Sequence, residues 1–112
     1  MLQRIHIQIL DNPFEDVNFS ESYYDEGVNN QTLAEQLQTS FDYQYPNLVL
    51  VEYIDLFLED ESRFAEVREL ISHGLITLPV ILINGEPFIH GAISYRVIHE
   101  EVERLISKGP VH

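Results

Sequence analysis

The segment Ile76-Thr77-Leu78-Pro79-Val80-Ile81-Leu82-Ile83-Asn84-Gly85-Glu86-Pro87-Phe88-Ile89-His90-Gly91 constrains the fold of this chain more than any other stretch. Four consecutive apolar residues at 80–83 read as a short buried strand. Asn84-Gly85 then supplies two residues that tolerate positive φ, which a two-residue hairpin turn demands at both central positions. The chain returns antiparallel over 86–90. Pro87 has no amide donor, so the returning strand belongs at a sheet edge or leaves that position unpaired. A proline before the first strand and a glycine after the second frame the hairpin.

The rest of the chain supplies elements around it. Ile5, Ile7 and Ile9 alternate with His6, Gln8 and Leu10, the period of a strand that starts almost at the N-terminus. Residues 11–29 break that pattern with Asn12-Pro13, Gly27 and several acidic side chains; a loop of this length is either functional or poorly ordered. Thr32-Leu33-Ala34-Glu35 has the form of a capping box, which predicts Thr32 as the cap of a helix carrying Leu33, Ala34, Leu37 and Phe41. That helix should end near Tyr43, ahead of the turn signal Tyr45-Pro46-Asn47. Residues 48–55 are almost continuously apolar, which predicts a parallel strand inside the sheet and covered on both faces. Glu59-Asp60-Glu61-Ser62 offers acidic and capping groups for a second helix with Phe64, Val67, Leu70 and Ile71 as its apolar stripe. His73 falls in its last turn and Gly74 at its left-handed end. Ser94 can cap a final helix with Tyr95, Ile98, Val102, Leu105 and Ile106 buried, stopped by Ser107-Lys108-Gly109-Pro110. The order is β-α-β-α-β-β-α: one α/β domain over 1–112, with a mixed four-stranded sheet and helices on both faces.

Composition narrows the function classes. The chain has 112 residues, enough for a core without disulfides or metal. Nineteen acidic against six basic residues give a net charge of -13. Such a surface repels phosphate, so nucleic acid and anionic membranes are excluded as partners; it serves solubility or steers a basic partner. There is no cysteine, which removes disulfides, thiolate nucleophiles and thiolate metal sites. The N-terminus lacks the basic and apolar regions of a signal peptide, and no apolar run reaches the length of a membrane span, so a cytoplasmic location is expected.

The element order, with proline before the third strand and glycine after the fourth, resembles the thioredoxin-like superfamily over nearly the whole chain. Tyr53-Ile54-Asp55-Leu56-Phe57 with the acidic helix start, and Leu78-Pro79-Val80-Ile81-Leu82-Ile83, are most similar in style to the small YuzD-type family of disulfide oxidoreductases. The arsenic metallochaperones are a more distant likeness. Members of these families carry their reactive cysteines between the first strand and the first helix, here 11–29, where this chain offers Ser20 and Ser22 instead. The departure excludes thiol–disulfide chemistry and thiolate arsenic binding. The resemblance implies a cis-proline at Pro79 beside the ancestral site, with the Leu78 main chain free to pair with an extended peptide. The alternative is that the cis bond only shapes the entry to the hairpin.

Other chemistry finds little support. His6, His73, His90, His99 and His112 have no metal-ligand spacing; His99 and Glu103 share a helix face, as weak chelators or as an exposed pair. No metal site and no cofactor are expected. Asp11, Glu15 and Asp16 lack the spacing of a calcium loop, and Ser20 has no identifiable base. Phe14, Phe19, Tyr23 and Tyr24 of the loop either fold back over the old cysteine pocket or meet a partner or a second subunit. The candidate site is therefore a groove of Asp11, Asn12, Pro13, Thr77, Leu78, Pro79, His90, Gly91 and Ala92. The expected function is a redox-inactive protein- or peptide-binding module. The alternatives are a non-thiol enzyme or small-ligand binder built on 11–29, and a structural subunit that dimerises.

Overall fold

The computed structural model describes residues 4–12 and 29–108. In chain order they form strand β1 (Ile5–Asp11), helix α1 (Asn30–Gln44), strand β2 (Val49–Asp55), a single 3₁₀ turn (Leu56–Leu58), helix α2 (Ala65–Ser72), strands β3 (Val80–Ile83) and β4 (Glu86–His90), and helix α3 (Tyr95–Lys108). The strands make one mixed sheet in the order β2-β1-β3-β4. β1 and β2 are parallel, β1 and β3 antiparallel, and β3 and β4 antiparallel. The mixed four-stranded α/β sheet expected from the sequence is present.

Side-chain alternation along the strands splits the core in two. Ile5, Ile7 and Ile9 of β1 and Ile81 and Ile83 of β3 meet Ala34, Leu37 and Phe41 of α1 and Ile98 and Val102 of α3. Leu10, Ile54, Val80 and Leu82 point the other way and meet Leu56 of the 3₁₀ turn and Val67 of α2. Burying each large apolar side chain stabilises by about 1.5–3 kcal/mol, so the thicker first layer carries most of the hydrophobic free energy.

Local chemistry behaves as expected at three points. Asn84 and Gly85 both take positive φ, 53° and 88°, and close the two-residue hairpin between Ile83 and Glu86. Gly74, at φ 73°, ends α2: its N–H donates to Ile71 C=O at 3.0 Å, and Leu75 N–H to Leu70 C=O at 3.0 Å, the two bonds of a Schellman motif. Ser94 caps α3 through Val97 N–H, at 3.3 Å.

Four expectations are corrected. β2 lies at a sheet edge, not inside it, and β1 is the strand with neighbours on both sides. The eight-residue α2 is too short to cover the far half of its face, so Leu50 is 46% exposed despite its apolar context. The cap of α1 is Asn29, whose Oδ1 accepts from Thr32 N–H at 2.8 Å; Thr32 is the third helical residue and closes no capping box. α2 starts at Ala65, beyond the acidic run, behind Phe64 in the left-handed region and with no side-chain cap. Asp60 instead folds its own turn by accepting from Ser62 N–H and Oγ–H at 2.9 and 3.0 Å. Finally, His99 is not an exposed partner of Glu103: it is half-buried and stacks on Phe41 at 4.3 Å between ring centres, with Nε2 3.4 Å from Ser40 Oγ.

Candidate functional site

Register brings the sequence-predicted residues into one row across the end of the sheet. Asp11, the last residue of β1, stands opposite Asp55 of β2. On its other side Leu10 pairs with Val80, so Asp11 comes next to Pro79. Val80 in turn pairs with His90, which sets Gly91 next to Pro79. The Gly91 N–H donates to Pro79 C=O at 2.8 Å and to Thr77 C=O at 3.1 Å. Asp55, Asp11, Pro79 and Gly91 thus form a line at the carboxyl ends of the two parallel strands. Open α/β sheets bind ligands at such ends.

Asp11 is 3% exposed, an uncommon burial for a carboxylate. Its Oδ2 accepts from Tyr53 Oη–H at 2.7 Å and from Asn30 Nδ2–H at 3.0 Å. Asn30 opens α1, so the carboxylate also sits at a helix N-terminus, where the macrodipole favours negative charge. Tyr53 and Asn30 were not among the sequence-predicted residues. The available signal was the parallel register: Tyr53 pairs with Ile9, on the same face as Asp11 and one side-chain step away.

The proline segment is tied down on both flanks. Thr77 N–H donates to His90 Nδ1 at 3.2 Å, which makes Nδ1 an acceptor and leaves the ring proton to Nε2. Thr77 Oγ1 lies 3.5 Å from the same nitrogen. Gly91 has φ 89°, and a Cβ there would meet Thr77 Oγ1 at 3.4 Å, so this position needs glycine for its backbone. The Leu78-Pro79 peptide is cis. Leu78 packs its side chain on the cluster of Leu10, Ile54, Leu56, Val67, Val80 and Leu82, while Pro79 is buried. The Leu78 N–H and C=O make no hydrogen bond among the described residues.

The remaining candidates separate from this row. Asn12 is half-buried and has a partner of its own. Pro13, with Phe14, Glu15, Asp16, Phe19, Ser20, Ser22, Tyr23 and Tyr24, lies outside the described residues. No group of three or more metal-ligating side chains occurs among the described residues. His6 is engaged by Glu52 at 2.9 Å, across the β1–β2 pair. An apolar cleft lined by Ile76, Val80, Pro87, Phe88, Ile89 and His90 encloses only ≈ 240 Å³. Small-molecule pockets run to about 300–1,000 Å³, so the cleft is undersized for such a ligand.

The architecture has a solved counterpart. A Staphylococcus aureus protein of unknown function, known from its crystal structure, superposes with a TM-score of 0.67 over 94% of this chain and 94% of its own. At 19% sequence identity the likeness is one of fold. No protein-family model matches the chain, and no curated protein does. No helix among the described residues is long and apolar enough to cross a membrane.

Proposed function

We propose that this chain is a thioredoxin-like domain without redox chemistry that binds an extended peptide through the main chain of Leu78. The sheet order β2-β1-β3-β4, the helix between the parallel strands and the proline that opens β3 support the family reading. The absence of cysteine leaves binding, and not thiol exchange, as the use of this architecture.

One observation carries the reading. Thr77 spends its amide on His90 and its carbonyl on Gly91; Pro79 has no amide and gives its carbonyl to Gly91. Between them only Leu78 keeps both groups without a partner among the described residues. A donor and an acceptor on one residue, held by anchored neighbours, can exchange a pair of hydrogen bonds with an extended segment. The partner is then a protein or peptide, and its own main chain supplies most of the polar contact. The acidic charge of the chain favours a basic segment during encounter.

The test is selection of linear peptides from a randomised display library on the immobilised chain, followed by mapping of bound peptides by amide chemical shifts. Perturbations centred on Thr77, Leu78 and Gly91 support the reading. Enriched peptides that leave those amides unmoved and perturb another surface refute it.

A further inference from the structure

The hairpin brings one imidazole back to the segment that precedes it. Between Gly74 and Ser94 only Glu86 and His90 carry titratable side chains. Glu86 opens β4 opposite Ile83 and His90 closes it opposite Val80, so the two stand at opposite ends of the strand. His90 Nδ1 accepts from Thr77 N–H at 3.2 Å, and Thr77 Oγ1 lies 3.5 Å from the same nitrogen. The cleft that His90 lines is otherwise apolar, made by Ile76, Val80, Pro87, Phe88 and Ile89. Charged groups on neighbouring elements are engaged elsewhere. Across β3, Asp11 directs Oδ2 to Tyr53 and Asn30. On α3, Tyr95 gives its hydroxyl to α1 and Arg96 pairs with Glu100. No ion pair among the described residues includes His90.

A single proton therefore decides this contact. Nδ1 accepts only while it is unprotonated; in the imidazolium both ring nitrogens are donors. Nδ1–H would then meet Thr77 N–H donor to donor, and the acceptor left within reach is Thr77 Oγ1. We propose that His90 is a positioning residue that acts as a proton-sensitive latch. Neutral, it holds the Thr77 amide and so fixes the Leu78 main chain that follows. Protonated, it lets that amide go and weakens peptide pairing. The effect on peptide rests on the pairing of Leu78 proposed above; the latch itself needs only the His90–Thr77 contact. Gly91 N–H still holds Thr77 C=O at 3.1 Å, so release loosens the segment without detaching it.

The test uses the full chain and His90→Asn, whose carboxamide oxygen offers an acceptor that does not titrate. Folding of both is checked by far-UV circular dichroism. In the free chain, the His90 ring and the Thr77 amide are followed by NMR from about pH 8 to about pH 5, the range in which histidine changes charge. The Thr77 amide should titrate with the midpoint of the His90 ring, and its protection from exchange should fall about fivefold on the acid side, as for one lost hydrogen bond. A library-selected peptide that perturbs Leu78 should bind about fivefold more weakly in acid. Both pH dependences should be lost in His90→Asn, which leaves the other histidines in place. A Thr77 amide that does not follow the His90 midpoint, or that titrates unchanged in His90→Asn, overturns the latch. Where Thr77 follows His90 but peptide on Leu78 binds equally at both pH values, the positioning role is overturned and the pairing reading stands. A library that enriches no peptide on Leu78 at about pH 8 overturns the pairing reading, and the free-chain titration still decides the latch.

Discussion

Removing the Tyr53 hydroxyl isolates the anchor of the candidate site. Tyr53→Phe keeps the ring and deletes one donor to the Asp11 Oδ2, at 2.7 Å the shorter of the two contacts there. Hydrogen bonds to charged groups contribute about 1.5–3 kcal/mol. Because Asn30 still donates at 3.0 Å, the carboxylate is not left bare, and the low end of that range applies. With a urea slope of about 1.5 kcal/mol/M, a loss of about 1.5 kcal/mol lowers the unfolding midpoint by about 1 M. Far-UV circular dichroism is the assay, since the chain has no tryptophan. A second variant, Asp11→Ala, which removes the acceptor, completes a double-mutant cycle, and the coupling between the positions should be about 1 kcal/mol. A midpoint that moves by less than about 0.2 M at constant slope, or strict additivity in the cycle, would refute the view that this hydrogen bond anchors the strand end.

Other consequences are separable from that one. Asn29→Ala should destabilise by about 1 kcal/mol in urea unfolding, while Thr32→Ala should be neutral or slightly stabilising; the reverse ranking would restore Thr32 as the cap. Gly91→Ala should cost about 1–2 kcal/mol, because alanine must adopt the left-handed backbone there, and a neutral result would show that the loop relaxes freely. Asp60 has its pKa lowered, first by the Ser62 backbone hydrogen bond, then by the Ser62 hydroxyl, with Arg68 adding to the effect. A depressed folded-state pKa means that this contribution is present above the unfolded value and is lost as pH falls through the folded one. Ser62→Ala removes the hydroxyl contact, so an NMR titration of Asp60 should show its pKa rising toward the ordinary aspartate value; no change would contradict the stated cause.

What was legible in the sequence was chiefly what is decided locally. Asn84-Gly85, Gly74 and Ser94 act on residues within a few positions of themselves, and each does in the structure what its chemistry dictates. Thr32 misled because Asn29, three residues earlier, is an equally good cap and no local rule ranks the two. The position of β2 was not legible, because strand order depends on how the crossovers run and not on the strand itself. Its apolar run matched a doubly covered strand, yet the short α2 leaves Leu50 open. The row of Asp11, Pro79 and Gly91 could be anticipated from the hairpin and the parallel pair. The partners Tyr53 and Asn30 could not, since each contact joins residues well apart in sequence, as far as 42 positions for Tyr53 and Asp11.

The peptide-pairing reading stands or falls on a single amide. Hydrogen exchange of the Leu78 N–H should be fast in the free chain and slow markedly, by tenfold or more at saturation, when a library-selected peptide is bound. The Thr77 and Gly91 amides, already spent on His90 and on Pro79 and Thr77, should change far less. A Leu78 amide that is already protected in the free chain, or one that exchanges at the same rate with and without bound peptide, contradicts the account.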